Sequence, residues 1–444
     1  MTSVSDSGNG APRTGVIGSS RTRGDDRLPR VALVGATGHG LTHRRTIHAL
    51  EQAGHLRLVG LADPRPVPDE PDAPLDGVPV LPDHRQLLER TRPDVVVVCT
   101  PPATHLPIAL DVLATGADLL LEKPPVASLA EHAELLAAVR ASGRACQVGF
   151  QALGSVALDR LVDRLRAGLL GTVPRIGAVG AWWRPDRYWQ RSAWAGRRRL
   201  DGRPVVDGAL VNPFAHAVMQ VLALAEATVV PTVGVRPTLL EVERYRTSEI
   251  EVDDTTVARI TLADGPSLLV AVSLRSASFV AGEIEVTGDG GTAALEYPTD
   301  RLRLPGQEAG GGWSLPLGRT PLLVNLLRHR ADPAVPLICP LERTAGFTSL
   351  LEVLVEAPEP VLVPREFLRP HSEGGHTIRG IDLLLRDAVR RHALLSELSV
   401  PWATAPHRVV LSPQDGAVRS PQDGAVLPPK DRVVRKPEGD PCAS

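Results

Sequence analysis

Residues 94–123, DVVVVCTPPATHLPIALDVLATGADLLLEK, decide the fold. The four valines at 95–98 are β-branched and stiff about χ1, which suits a strand. No polar residue interrupts them, so both faces of that strand need cover, as in a parallel sheet flanked by helices. LPIALDVLATG (106–116) then reads as a helix closed by glycine, and DLLLEK (118–123) as the next strand. The same alternation extends in both directions. Upstream, RVALVG (30–35) predicts a strand, 41–53 a helix, LRLVGLAD (56–63) a second strand and DHRQLLER (83–90) a helix. Downstream, SLAEHAELLAAVRASG (128–143) predicts a helix opened by Ser128 and closed by Gly143, and RACQVGF (144–150) a strand. Strands and helices in strict alternation imply an α/β Rossmann domain over 30–150, a doubly wound parallel sheet.

After residue 150 the rhythm changes. Helices are predicted over 156–167, 212–226, 320–331, 342–356 and 377–396. Alternating runs near 239–244, 256–262, 268–275, 283–288 and 292–296, separated by turns, predict antiparallel strands. Residues 151–403 are therefore expected to form an α+β domain with a mainly antiparallel open sheet. Residues 1–29 are rich in Ser, Gly, Arg and Asp, and 404–444 are Pro-rich, with SPQDGAV at 412–418 repeated at 420–426. Both ends are expected to be disordered tails, because such compositions cannot bury a core.

Lys and Arg total 49 and Asp and Glu 51, giving a net charge of −2. Without a basic excess, no nucleic-acid partner is expected. The four cysteines, Cys99, Cys146, Cys339 and Cys442, form no C-x-x-C pair, which argues against a zinc site or a disulfide framework. No metal is expected. The N-terminus lacks the apolar segment of a signal peptide, and no apolar run approaches the roughly 20 residues that span a bilayer. A cytoplasmic location with no membrane partner is the expectation.

Lysine occurs only at Lys123, Lys430 and Lys436, and the other 46 of the 49 Lys and Arg residues are arginine. Outside the tail a single lysine, Lys123, survives this bias. Lysine differs from arginine in being a compact point donor that can titrate, so Lys123 marks a position where an ammonium is chemically needed.

The first strand runs into Gly35-Ala-Thr37-Gly38-His39-Gly40 and then a helix, the setting of a pyrophosphate-binding loop at a helix N-terminus. The usual G-x-G-x-x-G has glycine in the middle position; here Thr37 stands there and Gly38 is added. Asp63 closes the second strand 23 residues after Gly40. A carboxylate there accepts hydrogen bonds from ribose hydroxyls and repels a 2′-phosphate, which favours NAD; Arg65 leaves NADP open.

The stretch 95–131 resembles the Gfo/Idh/MocA oxidoreductases, the family of glucose–fructose oxidoreductase and inositol dehydrogenase. Thr100, Pro101 and His105 match its Thr-Pro-x-x-x-His element, and Glu122, Lys123 and Pro124 its Glu-Lys-Pro element. Gly149-Phe150 match the Gly-aromatic step after the sixth strand. At the level of layout the resemblance runs over roughly residues 30 to 400. It implies that the Thr-Pro and Glu-Lys-Pro elements border the cofactor and that Lys123 hydrogen-bonds the substrate hydroxyl that becomes a carbonyl. A cis Lys123–Pro124 bond would fix the direction of the lysine. The family commonly carries Asp-x-x-x-His at the start of a later helix, with the histidine as general base. Asn212-Pro-Phe-Ala-His216 matches it with an amide in place of the carboxylate. An i, i+4 pair shares one helix face, and an ordinary imidazole pKa of about 6.5 suits His216 to proton transfer. The resemblance further implies a homodimer or homotetramer, joined through the open face of the second-domain sheet.

Trp182, Trp183, Tyr188, Trp189 and Trp194 fall within AWWRPDRYWQRSAW (181–194), in a chain with only 14 Phe, Trp and Tyr residues. Aromatic faces interleaved with Arg and Asp suit a sugar or cyclitol, and equally a packed core. Arg184, Tyr188 and Trp194 are candidate substrate contacts, as is Gln151 beyond the last strand of the first domain. The expected function is reversible hydride transfer between NAD(P) and a hydroxyl of a sugar, amino sugar or cyclitol. Two alternatives stay open: an NAD-dependent glycosidase or lyase that oxidises its substrate transiently, and a non-catalytic nucleotide-binding partner protein.

Overall fold

The computed structural model describes residues 27–200, 202–205, 207–229, 235–306 and 312–411. Of the tails expected over 1–29 and 404–444, residues 1–26 and 412–444, including the SPQDGAV repeat, lie outside the described residues.

The first unit is the expected Rossmann sheet. Its elements are β1 (Arg30–Val34), α1 (Gly40–Gln52), β2 (Arg57–Ala62), β3 (Val80–Leu81), α2 (His84–Thr91), β4 (Val95–Val98), α3 (His105–Ala114), β5 (Asp118–Leu121), α4 (Leu129–Ser142) and β6 (Cys146–Val148). The six strands are ordered β3-β2-β1-β4-β5-β6 and every pairing is parallel. The valines of β4 are completely buried because both of their faces are covered. Val96 and Val98 pack with Leu87, Ile108, Ala109 and Val112 of α2 and α3. Val95 and Val97 pack on the opposite side with Ile47 and Leu50 of α1.

The second unit contains α5 (Val156–Arg166), β7 (Arg175–Trp183), the hairpin β8 (Arg199–Leu200) and β9 (Arg203–Pro204), α6 (Ala215–Glu226), β10 (Pro237–Arg246), β11 (Thr255–Leu262), β12 (Ser267–Ser273), β13 (Arg275–Gly288), β14 (Gly291–Glu296), β15 (Arg301–Arg303), α7 (Leu322–Ala331), α8 (Ala345–Glu356), β16 (Val361–Leu362), β17 (Leu368–Pro370), β18 (His376–Ile378), α9 (Ile381–Arg391) and β19 (His407–Val410). Its large sheet runs β15-β14-β13-β7-β12-β11-β10-β16, with β19 also on β10. The sheet is mostly antiparallel, with β7–β12 and β10–β16 parallel.

Four features differ from the sequence reading. The Pro-rich end does not leave the fold at 404: His407–Val410 pair with Leu239–Val242, because Val409 is an apolar residue that the sheet buries. The helix expected over 377–396 shortens to 381–391, since His376–Ile378 instead pair with Leu368–Pro370. The face of the large sheet expected to be open is covered over β7, β11 and β12 by α9 and the chain after it. Ile381, Leu385, Ala388 and Val389 of α9, with Leu394, Leu395 and Trp402, lie on Val179, Ala181, Val257, Leu269 and Ala271 of the strands. Finally, α7 falls within the range assigned to the second domain, yet Leu322, Leu323, Leu326 and Leu327 pack with Val31, Leu33, Val95, Val97 and Leu120. That helix completes the face of the Rossmann sheet that α1 only partly covers.

Candidate active site

The glycine loop is set by close backbone approach. Gly35 has φ +85°, and a Cβ there would overlap the Cys99 carbonyl at the end of β4; a Cβ on Gly40 would overlap the Gly35 carbonyl. Gly38 also has positive φ (+61°), with open space where a Cβ would be. No side chain caps the start of α1. The loop is therefore a bare-backbone cradle at the positive end of a helix dipole, which fits an anionic pyrophosphate.

Asp63, at the end of β2, is buried and turned into this loop. Its Oδ2 accepts from Ala36 N (3.1 Å), Thr37 N (3.1 Å) and Thr37 Oγ1 (2.8 Å), and its Oδ1 from Arg65 N (3.0 Å) and Arg65 Nε (3.2 Å). Burial pushes this carboxyl up, but the Arg65 and Thr37 donors outweigh it and hold the group below its ordinary range. Thr37 therefore has a role of its own: its hydroxyl and amide tether the loop to β2. The exposed guanidinium of Arg65 also meets the Thr37 hydroxyl.

The residues after β4 and β5 form a second layer. His105 is wholly buried, with Nδ1 against Pro124 O (2.8 Å) and Nε2 against Thr100 O (2.9 Å). This corrects its assignment to the cofactor: both ring nitrogens are occupied by carbonyls, so it is a strut between the two loops. Thr100 accepts from Thr104 Oγ1 (2.8 Å) beside Gly35, and Pro101 is exposed at the start of the turn before α3. Lys123–Pro124 is cis, as expected.

Glu122 is buried and completely engaged. Oε1 meets His43 Nε2 (2.9 Å) and accepts from Gln151 Nε2 (2.8 Å), while Oε2 accepts from Lys123 N (3.0 Å). His39 Nε2 lies 3.8 Å from Oε1. Burial raises this carboxyl, yet the His39 and His43 contacts hold it well below its ordinary value. Glu122 and Gln151, expected at the cofactor and substrate, are thus bonded to each other. The sequence reading missed His43, whose signal was its place in the first turn of α1, four residues after His39.

His39, His43 and Glu122 place three potential metal-ligand atoms within 4.8 Å of one another. They sit at the positive end of α1 and beside Lys123, where a further cation is disfavoured. The set reads as two imidazoles holding a carboxylate.

Lys123 reaches from the end of β5 to the second domain. Its Nζ donates to Asn212 Oδ1 (2.8 Å) and Asn212 O (3.2 Å). Asn212 Nδ2 in turn donates to Asp207 Oδ1 (3.0 Å). Burial lowers the lysine's pKa, opposed by the negative charges of Glu122 and Asp207.

Asn212 lies in the turn before α6, which starts only at Ala215, so Asn212 and His216 are not two positions of one helix face. The amide is committed to Lys123 rather than to the imidazole. His216 Nδ1 is buried without a hydrogen-bond partner, and the ring packs edge-on to Phe150, 6.0 Å between centroids. Burial and then the Lys123 charge push its pKa down to about 3, which corrects the expectation of a near-neutral imidazole.

The aromatic segment divides between packing and cleft. Trp182 stacks on Phe214 (4.3 Å), Trp183 on His371 (3.8 Å), and Trp189 is buried. Arg191 lies over Tyr188 (4.0 Å) and Trp194 (4.7 Å) and pairs with Asp207 (3.0 Å). Arg184 lies over Trp182 (5.2 Å) and Tyr188 (5.7 Å), and among the described residues no carboxylate is within ion-pair distance of it.

Residues 29–150 match the model of the Gfo/Idh/MocA oxidoreductase family, described as an NAD-binding Rossmann fold. The match is confined to the first domain, and it is this domain that is similar to the Gfo/Idh/MocA oxidoreductases. Inositol 2-dehydrogenase 4 of Saccharopolyspora erythraea is 33% identical over 147 residues, 33% of this chain and 43% of the relative. The match thus spans under half of that relative's length. The rhizopine catabolism protein MocA of Rhizobium meliloti is 26% identical over 273 residues, covering 60% of this chain and 78% of MocA. The two-unit fold recurs in the WlbA dehydrogenase of Bordetella pertussis in complex with NADH and UDP-GlcNAcA, at TM-score 0.59 and 19% identity, covering 76% of this chain and all of that one. Among the described residues no helix is long and apolar enough to cross a membrane.

Proposed function

We propose that the protein is an NAD-dependent dehydrogenase acting on a hydroxyl of a sugar, amino sugar or cyclitol. The observation that carries this reading is the lysine bridge: Lys123 leaves the Rossmann sheet and bonds Asn212 at the entrance to α6. An ammonium thereby stands at the strand ends, beside the glycine cradle and at the junction with the second domain, where open α/β sheets bind their ligands.

NAD, when bound, supplies the hydride acceptor. Two of the lysine's three N–H groups go to Asn212, and the third is left for the substrate oxygen, where it stabilises developing negative charge. His216 enters as a neutral imidazole and takes the hydroxyl proton while Lys123 holds the oxygen. Arg184, Tyr188 and Trp194 are the substrate contacts; among the described residues no carboxylate is within ion-pair distance of Arg184. Relatives named as inositol dehydrogenases, and a neighbour crystallised with a UDP-sugar, support this substrate class. NAD is preferred because the model matched by the first domain is described as an NAD-binding Rossmann fold; the Asp63 oxygens are held by Ala36, Thr37 and Arg65 rather than left open to a ribose.

The test pairs wild type with Lys123→Ala. NAD(H) should raise the melting temperature of both. NADH should accumulate only with wild type when a panel of sugars and cyclitols is supplied. Absence of stabilisation by any nicotinamide nucleotide would overturn the reading. Turnover without net NADH would instead identify transient oxidation.

A further inference from the structure

We propose that Asp207 is a positioning residue of this site: it fixes the Asn212 amide with its carbonyl oxygen toward Lys123, and through Arg191 it ties the aromatic segment 188–194 to the same point. The inference rests on Lys123 being the functional lysine of the proposed dehydrogenase.

The Asp207 side chain is completely buried. Its Oδ1 accepts from Asn212 Nδ2 (3.0 Å) and Arg191 (3.0 Å), and its Oδ2 from Gly196 N (2.9 Å). A carboxylate only accepts and an ammonium only donates, whereas a primary amide presents one accepting and one donating end. An amide placed between them has one satisfactory orientation: NH2 to Asp207, oxygen to Lys123. The observed 2.8 Å bond from Nζ to Asn212 Oδ1 is that orientation. Without a carboxylate at 207 the amide could rotate and set its own donors against the ammonium. A buried donor left without an acceptor carries its full desolvation cost, so the polarity of the chain is strongly enforced.

The same chain sets the electrostatics of the lysine. Charged or titratable groups facing Lys123 are Glu122, Asp207, Arg191, Cys99 and His216. Asp207 favours the ammonium and Arg191 opposes it. The carboxylate absent from position 212 therefore acts from one residue further out, through an amide. Arg191 extends the chain into the aromatic segment, where it lies over Tyr188 and Trp194. Substrate pressing on those rings is coupled to the orientation of Asn212 through two hydrogen bonds.

The experiment uses the full chain and reads the lysine directly. Brief labelling with acetic anhydride across a pH series, followed by peptide mass spectrometry, gives the titration of Lys123. Lys430 and Lys436, the only other lysines, serve as references. In Asp207→Asn, Lys123 should label several-fold faster than wild type near pH 8, because its charged form has lost support. Adding Asn212→Asp to that variant should return labelling to the wild-type rate, which a merely structural role for Asp207 would not do. Asn212→Leu, which leaves Asp207 with Arg191 and Gly196, should speed labelling in the same way and serves if Asp207→Asn does not fold. An unchanged Lys123 titration in a folded Asp207→Asn or Asn212→Leu protein would overturn the proposal. NAD stabilisation of the wild type, measured alongside, tests the dehydrogenase reading separately: its failure would leave the lysine titration interpretable.

Discussion

At the residue scale, the buried imidazoles make the protein sensitive to acid. His216 has its folded pKa near 3, below the ordinary histidine value. Between those two values the unfolded chain binds a proton that the folded one does not, so stability rises with pH through that window and is lost as pH falls through it. The slope from one such group is at most about 1.4 kcal/mol per pH unit. His216→Gln should flatten the fall in melting temperature between about pH 6.5 and pH 4, while stability above pH 7 changes little from this cause. Parallel melts of the two proteins measure it; identical slopes would show that His216 is not buried as a neutral ring. Lys123 was legible as a single residue because composition isolated it. His216 was legible by position, but its pKa was not, since burial and a neighbouring ammonium are facts of packing. Asp207 and Arg191 carried no signal: they reach Asn212 only because the 186–211 segment folds back on itself.

At the element scale, the loop between β1 and α1 distinguishes its glycines. Gly35→Ala has to move the Cys99 carbonyl and take up φ +85°, whereas Gly38→Ala faces open space at φ +61°. The first should destabilise by well over 1 kcal/mol and abolish the NAD-induced rise in melting temperature; the second should cost about 1 kcal/mol and keep that rise. Equal effects would mean that close approach is not what demands glycine at 35. The Rossmann elements could be read from sequence because apolar runs, Ser128 and the glycines specify them locally. The second unit was less legible. The two-residue strands β8 and β16 have no period to detect. The helix expected over 377–396 failed at its start because pairing between β17 and β18, a contact with residues eight positions earlier, overrode the local pattern.

At the scale of the whole molecule, α9 and residues 394–402 cover the outer face of the large sheet. Leu385 is completely buried there, and the cover is clamped at its rim by Arg386 on Glu283 (2.7 and 2.8 Å) and by Arg259 on Glu397 (2.7 and 2.8 Å). Leu385→Asp should lift this helix and uncover an apolar surface of the kind that drives association. Light scattering should then report a concentration-dependent increase in mass relative to wild type; an unchanged mass would mean that the helix stays docked. A second long-range tie runs the other way. The chain returns from the second unit to place α7 on the Rossmann sheet, where Asn325 Oδ1 accepts from Gln147 Nε2 (2.7 Å) and Arg330 spans Asp94 (3.1 Å) and Asp118 (2.6 Å). The cofactor unit is therefore not a module that recombination can shuffle intact. A gene fragment ending at residue 150 would encode a sheet with one side half bare, and a chimera that swaps only residues 27–150 would inherit a foreign α7. Exchange between such genes succeeds only if the donor of the first 150 codons also supplies those for 322–331, so the two stretches are bound to diverge as one unit.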